Sequence, residues 1–326
     1  MKNLLYLFLI GVLFSCGGSG EEELNPEEPD VNSEPKEYIV SLGMTGEIEV
    51  SESPLLGRAS SDDLYGIQVY SISPTSISPS CYAWGIFDDK SKMQIKLLSG
   101  YKYNFQATMI KNGKKLISSN DGLYSAPFND FLTNEFSYEG AMSGVQNGMA
   151  CLEPEGMYYH HPNIDRYYGE IEDYSPIENG SISIDMKRVV YGLKFVADGL
   201  TEGKLKISVV GSPDLYITHG ENNEIESIFS LANGGANGSK WIADDYSEII
   251  EVSVTWEKSD GTDVQIIKSN NVTVKRKYMT TITIKVKDSS VNNGVEINQE
   301  PGNLIDGDNI TLESGTGVDS PVEPNV

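Results

Sequence analysis

Histidine and cysteine are scarce in this chain, three of each in 326 residues, and neither is arranged for chemistry. His160 and His161 are adjacent, so in a strand they point to opposite faces and do not easily share one metal. With Asp165 they make at most a weak loop site, and surface histidines are the plainer reading. The third, His219, stands alone. No HExxH, no GxSxG, no glycine-rich phosphate loop and no paired-cysteine spacing occurs. Asp306, Asp308 and Glu313 lack the glycine and ligand spacing of a calcium loop. With 48 acidic residues, any choice of a glycosidase carboxylate pair is arbitrary. An enzyme and a resident cofactor are both disfavoured. Basic residues are few as well, 24 against 48 acidic ones. The net charge of −24 excludes nucleic acid as a partner, because no basic patch exists to neutralise phosphates. Beyond Cys16 only Cys81 and Cys151 remain. They either pair in an oxidising compartment or stay as two free thiols, since sequence fixes no geometry.

Long apolar runs are also missing, with one exception. Leu4 to Phe14 is unbroken, is preceded by Lys2, and ends at Leu13-Phe14-Ser15-Cys16. A membrane-spanning helix needs about 20 residues, so this run has the size of a signal-peptide core. Its end resembles a bacterial lipobox, with Cys16 as the lipidated residue; Phe14 departs from the small residues usual there. Gly17-Gly18-Ser19-Gly20 gives a flexible spacer, and Glu21-Glu22-Glu23 follows. An acidic cluster in that place resembles the surface-export signal of lipoproteins in anaerobic Gram-negative bacteria. The expected location is the outer membrane, facing outward, with outer-membrane lipid as the anchor's partner.

What the chain has in quantity is alternation. Residues 16–37, rich in Glu and Pro, read as an acidic disordered stalk. From Tyr38 onward the period becomes two. Tyr103, Phe105, Ala107 and Met109 alternate with polar neighbours, and so do Ile182-Ile184-Met186, Leu205-Ile207-Val209, Ile250-Val252-Val254-Trp256 and Ile282-Ile284-Val286. Such alternation marks strands with one buried face. Asn112-Gly113, Asp198-Gly199 and Asp260-Gly261 supply turns between them. No long amphipathic helix is evident. The expected fold class is all-β, in two antiparallel β-sandwich domains. The expected divisions are a lipoprotein signal peptide at 1–15, the stalk at 16–37, an N-terminal sandwich at 38–178, a C-terminal sandwich at 179–288, and an acidic tail at 289–326. Val295 to Ile297 and Asn309 to Leu312 are short strand candidates in that tail.

One loop-like stretch, Gly156 to Tyr168, is unusually aromatic. Tyr158, Tyr159, Tyr167 and Tyr168 are candidates for contact with a glycan or a protein partner, because such rings stack on sugars and anchor interfaces. The competing reading packs the same rings between the sandwiches or over a sheet edge.

Four phrases resemble the fimbrillin family, the subunits of type V pili. They are Tyr38-Ile39-Val40-Ser41-Leu42-Gly43 with Glu47-Ile48-Glu49-Val50; Pro54-Leu55-Leu56-Gly57-Arg58 before Asp63-Leu64-Tyr65-Gly66-Ile67; Tyr82-Ala83-Trp84-Gly85-Ile86-Phe87; and Met186 to Phe195. The resemblance covers most of residues 38–288 and carries no catalytic signature. It implies two transthyretin-like Greek-key sandwiches and delivery as a lipoprotein. It further implies cleavage by a trypsin-like surface protease after an arginine that follows the first strand, and assembly with other pilus subunits by strand complementation. Arg58 and Ala59 fit the cleavage position, which would remove residues 38–58 of the first sandwich. Ser60-Ser61-Asp62-Asp63 reads as exposed, and Tyr38 to Val50 reads as two short strands joined by a turn across Gly43 to Gly46. The tail at 289–326 then holds a candidate donor strand. The expected function is a stalk, tip or anchor subunit of a surface fimbria. The alternative is a surface glycan-binding lipoprotein beside a polysaccharide importer, with Trp84 added to the stacking candidates.

Overall fold

Strand formation follows the alternation almost residue by residue. The computed structural model describes residues 34–48, 62–117, 121–141, 151–153, 156–158, 163–231, 240–286, 295–297 and 308–309. The first group of strands is β1 (Glu37–Gly46), β2 (Leu64–Ile72), β3 (Ser80–Phe87), β4 (Gln94–Leu98), β5 (Lys102–Ile110), β6 (Cys151–Glu153), β7 (Gly156–Tyr158), β8 (Arg166–Tyr174) and β9 (Gly180–Arg188). The second is β10 (Val190–Asp198), β11 (Lys204–Val209), β12 (Leu215–Thr218), β13 (Glu224–Ser230), β14 (Ser247–Glu257), β15 (Asp263–Lys275), β16 (Met279–Lys285), β17 (Val295–Ile297) and β18 (Asp308–Asn309). Among the described residues helix is confined to short turns, such as α1 at Gly113–Leu116. The chain is all-β.

Seven strands of the first group form one sheet in the order β3-β2-β5-β8-β9-β1-β4. The junction between β8 and β9 is narrow, pairing only Tyr167 with Arg188 and Tyr168 with Lys187. The sheet folds over there. Val40, Leu42 and Met44 of β1, Ile95 and Leu97 of β4, and Ile184 and Met186 of β9 therefore share one core with Ile67 and Val69 of β2, Phe105, Ala107 and Met109 of β5, and Tyr167 of β8. This is a sandwich made by one sheet doubling back, with side chains from both inner faces meeting.

The second group forms two sheets, β13-β10-β16-β17 with β18 also on β16, and β12-β11-β14-β15. Their inner faces meet through Tyr191, Leu193, Phe195, Ile282 and Ile284 on one side and Leu205, Ile207, Val252, Val254 and Trp256 on the other. In the tail, Val295–Ile297 is a strand as expected, β17, antiparallel to β16; of the second expected piece only Asn309 is described, in the two-residue β18 parallel to β16, and 310–312 lie outside the described residues.

Most neighbours are antiparallel, but besides the short β16–β18 contact each group has one long parallel pair. β1 runs parallel to β9, and β10 runs parallel to β16. The turn signals divide. Asp260-Gly261 closes the β14–β15 hairpin, with Lys258 N donating to Thr262 O at 2.9 Å and Gly261 at φ +85°. Gly199 at φ +83° ends β10. Asn112-Gly113 makes no hairpin. Asn112 takes a left-handed conformation, φ 54°, and leads into α1. The reason lies in β5, which already has β2 and β8 on its two sides and offers no edge to a returning strand.

Candidate functional site

β1 is a single continuous strand, not two pieces joined at a turn. Gly43 interrupts only the exposed face, while Val40, Leu42 and Met44 carry the buried alternation across it. The strand lies between two neighbours. Glu37 to Ser41 pair antiparallel with Leu98 to Gln94 of β4, and Val40 to Gly46 pair parallel with Gly180 to Met186 of β9. Both edges of β1 are thus used, and further bonds fix its register. Leu42 N donates to Met93 O at 2.8 Å, Ile39 N to Asn179 Oδ1 at 2.8 Å, and Ser99 N to Lys36 O at 2.8 Å.

The hold on β1 is mainly apolar. Val40, Leu42, Met44 and Ile48 are 0%, 4%, 8% and 1% exposed. At about 1.5–3 kcal/mol for each fully buried side chain, the four contribute roughly 6–12 kcal/mol. That rivals the total stability of a typical domain, about 5–15 kcal/mol. Severing the chain after β1 would therefore not release the strand by itself. A competing strand would have to displace it, because an empty slot would leave the β4 and β9 ladders and the core facing water.

The strand ends by a sharp local device. Gly46 has φ +88°, and a Cβ there would meet the Asp185 carboxylate and lie 2.8 Å from Met186 O. The chain then makes a helical turn at Glu47 and Ile48. This turn points Glu47 toward the second group of strands. Its Oε2 accepts from Arg188 N at 2.7 Å and from Arg276 Nη1 at 2.9 Å, and its Oε1 accepts from Lys277 Nζ at 2.7 Å. Burial alone would push this carboxyl up, but the bonds from Lys277, the Arg188 amide and Arg276 outweigh it and hold the group below its ordinary value of 4.5. Arg276 is 0% exposed. Its remaining donors go to Ala243 O at 2.9 Å, Arg188 O at 3.1 Å and the Asp244 carboxylate. None of Glu47, Arg276 or Lys277 stands out in the sequence, because 229 residues separate Glu47 from Arg276.

The candidates read from sequence fall unevenly. Cys16, Arg58, Ala59 and Tyr159 lie outside the described residues, as do His160 and His161, and of Tyr158 only the backbone is described, in β7. Beyond Arg58, Asp62 and Asp63 are anchored, in contrast to the exposed stretch expected. Asp63 is 3% exposed and accepts from Asn112 N at 2.8 Å, while Asp62 O accepts from Lys114 N at 2.9 Å and its carboxylate pairs with Lys115. Asp165 takes the Arg188 guanidinium at 2.7 and 3.0 Å, which commits it to an ion pair. Cys81 is an exposed free thiol at the start of β3.

Tyr167 and Tyr168 are corrected from surface candidates to core residues. They are 1% and 0% exposed. Successive residues of β8 face opposite ways, and both faces are covered. Tyr167 enters the core of the folded-over sheet, while Tyr168 packs on Trp241 with ring centroids 5.1 Å apart. Neither ring is available to stack on a sugar. Trp84 is half-buried, with its Nε1 donating to Glu139 O at 2.8 Å.

No protein-family model matches the sequence, and no curated protein matches it. Among solved structures, the fimbrial anchor protein Mfa2 from Porphyromonas gingivalis is similar at 10% identity and TM-score 0.36, over 78% of this chain and 92% of that one. A fimbrial assembly protein from Parabacteroides distasonis is similar at 9% identity and TM-score 0.34, over 85% and 98%. The C-terminally truncated tip fimbrial protein Mfa3 from Porphyromonas gingivalis is similar at 9% identity and TM-score 0.31, over 78% and 97%. What this chain is similar to, over roughly four-fifths of its length, is a set of bacterial fimbrial proteins.

Proposed function

We propose that this protein is a non-catalytic subunit of a surface fimbria, delivered as a lipoprotein through Cys16 and assembled by strand exchange after cleavage between Arg58 and Ala59. One observation carries the reading. β1 precedes every other described strand in the chain, yet it fills an interior position of its sheet, between β4 and β9. A cut at residue 58 would separate that whole strand from the rest of the chain without breaking any other. A second subunit's strand entering the same position would restore both ladders and the core, which is the physical basis of strand addition. Partners under this reading are other pilus subunits, a trypsin-like protease, and outer-membrane lipid until the cut is made.

The experiment is N-terminal sequencing of assembled surface material. A start at Ala59 supports strand removal. Assembled material that begins only at lipidated Cys16 would defeat the cleavage step and leave a permanently anchored subunit. The glycan-binding alternative keeps the same anchor, but Tyr167 and Tyr168 give it no accessible ring.

A further inference from the structure

Resting on strand release, the geometry points to a carboxylate socket at the end of the β1 groove, one that selects incoming strands carrying an Asp or Glu side chain. Its three donors come from two places. The Arg188 N–H closes β9, and the Arg276 guanidinium and Lys277 ammonium lie in the turn between β15 and β16. Arg276 is held rigidly by Ala243 O, Arg188 O and Asp244, and Lys277 is fixed through its own N–H to Val190 O at 2.7 Å. The Arg188 N–H and the Arg276 guanidinium therefore sit in place whichever strand fills the groove, and Lys277 is fixed there at its backbone.

The charge count favours an acid. Around the socket are two cations, Arg276 and Lys277, and two carboxylates, Glu47 and Asp244. The Arg188 guanidinium is already paired with Asp165, and Lys187 with Asp185, so neither alters the balance. Asp244 is 88% exposed at its side chain, whereas Glu47 is 22%. When β1 leaves, Glu47 leaves with it. Asp244 then faces two cations, and a buried guanidinium and a backbone amide lose their shared acceptor. A strand that refilled only the apolar pockets would leave the Arg188 N–H without its acceptor and would leave Asp244 as the one carboxylate for Arg276 and Lys277, and an unpaired buried donor is costly.

The spacing requirement follows from β1 itself. Apolar side chains are needed at the positions of Val40, Leu42 and Met44, and a carboxylate three residues after the last of them. A chain-terminal carboxylate has the same chemistry, and the test separates the two sources.

The test uses the full chain cut by trypsin after Arg58 and incubated with an excess of labelled peptide. One peptide spans residues 36–50, a second carries Glu47→Gln, and a third stops at Gly46 with a free terminal carboxylate. The expected result is capture of the first at least tenfold tighter than of the other two, as charge-assisted bonds in a half-buried site imply. Lys277→Gln in the protein should narrow the gap between the Glu and Gln peptides. Equal capture of those two peptides overturns the socket while leaving strand release intact. Tight capture of the third assigns the site to a chain terminus and overturns the side-chain proposal. No capture of any peptide overturns strand release and the socket together.

Discussion

Leu42→Ala is the most direct probe of how firmly β1 is held. Leu42 is 4% exposed in the core shared by β1, β4 and β9, and its N–H donates to Met93 O at 2.8 Å. The substitution keeps the backbone bond and removes the side chain from the pocket. Buried Leu→Ala changes cost about 2–5 kcal/mol, depending on how far the cavity collapses. In the intact chain this loss is read as a lower midpoint in chemical denaturation with an unchanged slope. In chain cut after Arg58 the same loss acts on the bound strand alone. At about 1.4 kcal/mol per decade, the hold weakens between roughly 30-fold and a few thousand-fold. The assay is exchange of a fluorescent residue 36–50 peptide into the cut protein, followed by size exclusion. Gly43→Ala serves as the control. Its Cβ would lie 3.6 Å from Ile182 O, in ordinary contact, so it should be neutral or gain up to about 1 kcal/mol. If Leu42→Ala shifted neither the unfolding midpoint nor the exchange rate beyond the control, the apolar pockets would not be what retains β1.

Other perturbations test the surrounding geometry. Gly46→Ala should cost at least about 1–3 kcal/mol in thermal unfolding, because it combines a left-handed φ with a backbone clash. Tyr167→Ala and Tyr168→Ala should each lower stability by about 3–5 kcal/mol, as buried aromatics do. Folded variants with selectively lost sugar binding would contradict their burial. Glu47 has a native pKa below its unfolded one, so its stabilisation is fully present above 4.5 and is lost as pH falls through the depressed native value. Glu47→Gln should therefore flatten the acid limb of a stability–pH profile and leave the alkaline limb unchanged. Glu37→Ala, which removes an exposed pair with Lys96, should change the melting temperature little, by less than about 1 kcal/mol in equivalent stability.

Alternation made the strands legible because one buried and one wet face leave a period of two in the sequence. Tyr103 to Met109, Leu205 to Val209 and Ile282 to Ile284 all lie in strands where the pattern places them. Where both faces are covered the signal vanishes. β8 buries Arg166, Tyr167, Tyr168 and Gly169 in succession, which is why its tyrosines read as loop aromatics. Gly43 misled for the opposite reason, since a residue on an exposed face can lose its side chain without ending a strand. The socket was illegible because it depends on a buried arginine contributed far along the chain. A lone Arg-Lys pair reads as surface charge until burial is known. The parallel pairing of β1 with β9 was equally hidden, as period two is the same for either strand direction.

The repeated parallel pair has a consequence for the order of the chain. In each group of strands the first one lies beside a late one, β1 on β9 and β10 on β16, in the same direction. The two slots are alike in pairing but not in connectivity. β10 is tethered at both ends, with β9 before it and β11 after it, so one break cannot free it. β1 follows no other described strand. The protein thus carries the same architectural berth twice, and under the strand exchange proposed above chain order alone would make one occupant replaceable and the other permanent. A filament built through the replaceable berth would be directional, because each subunit would receive a neighbour at its first sandwich and never at its second.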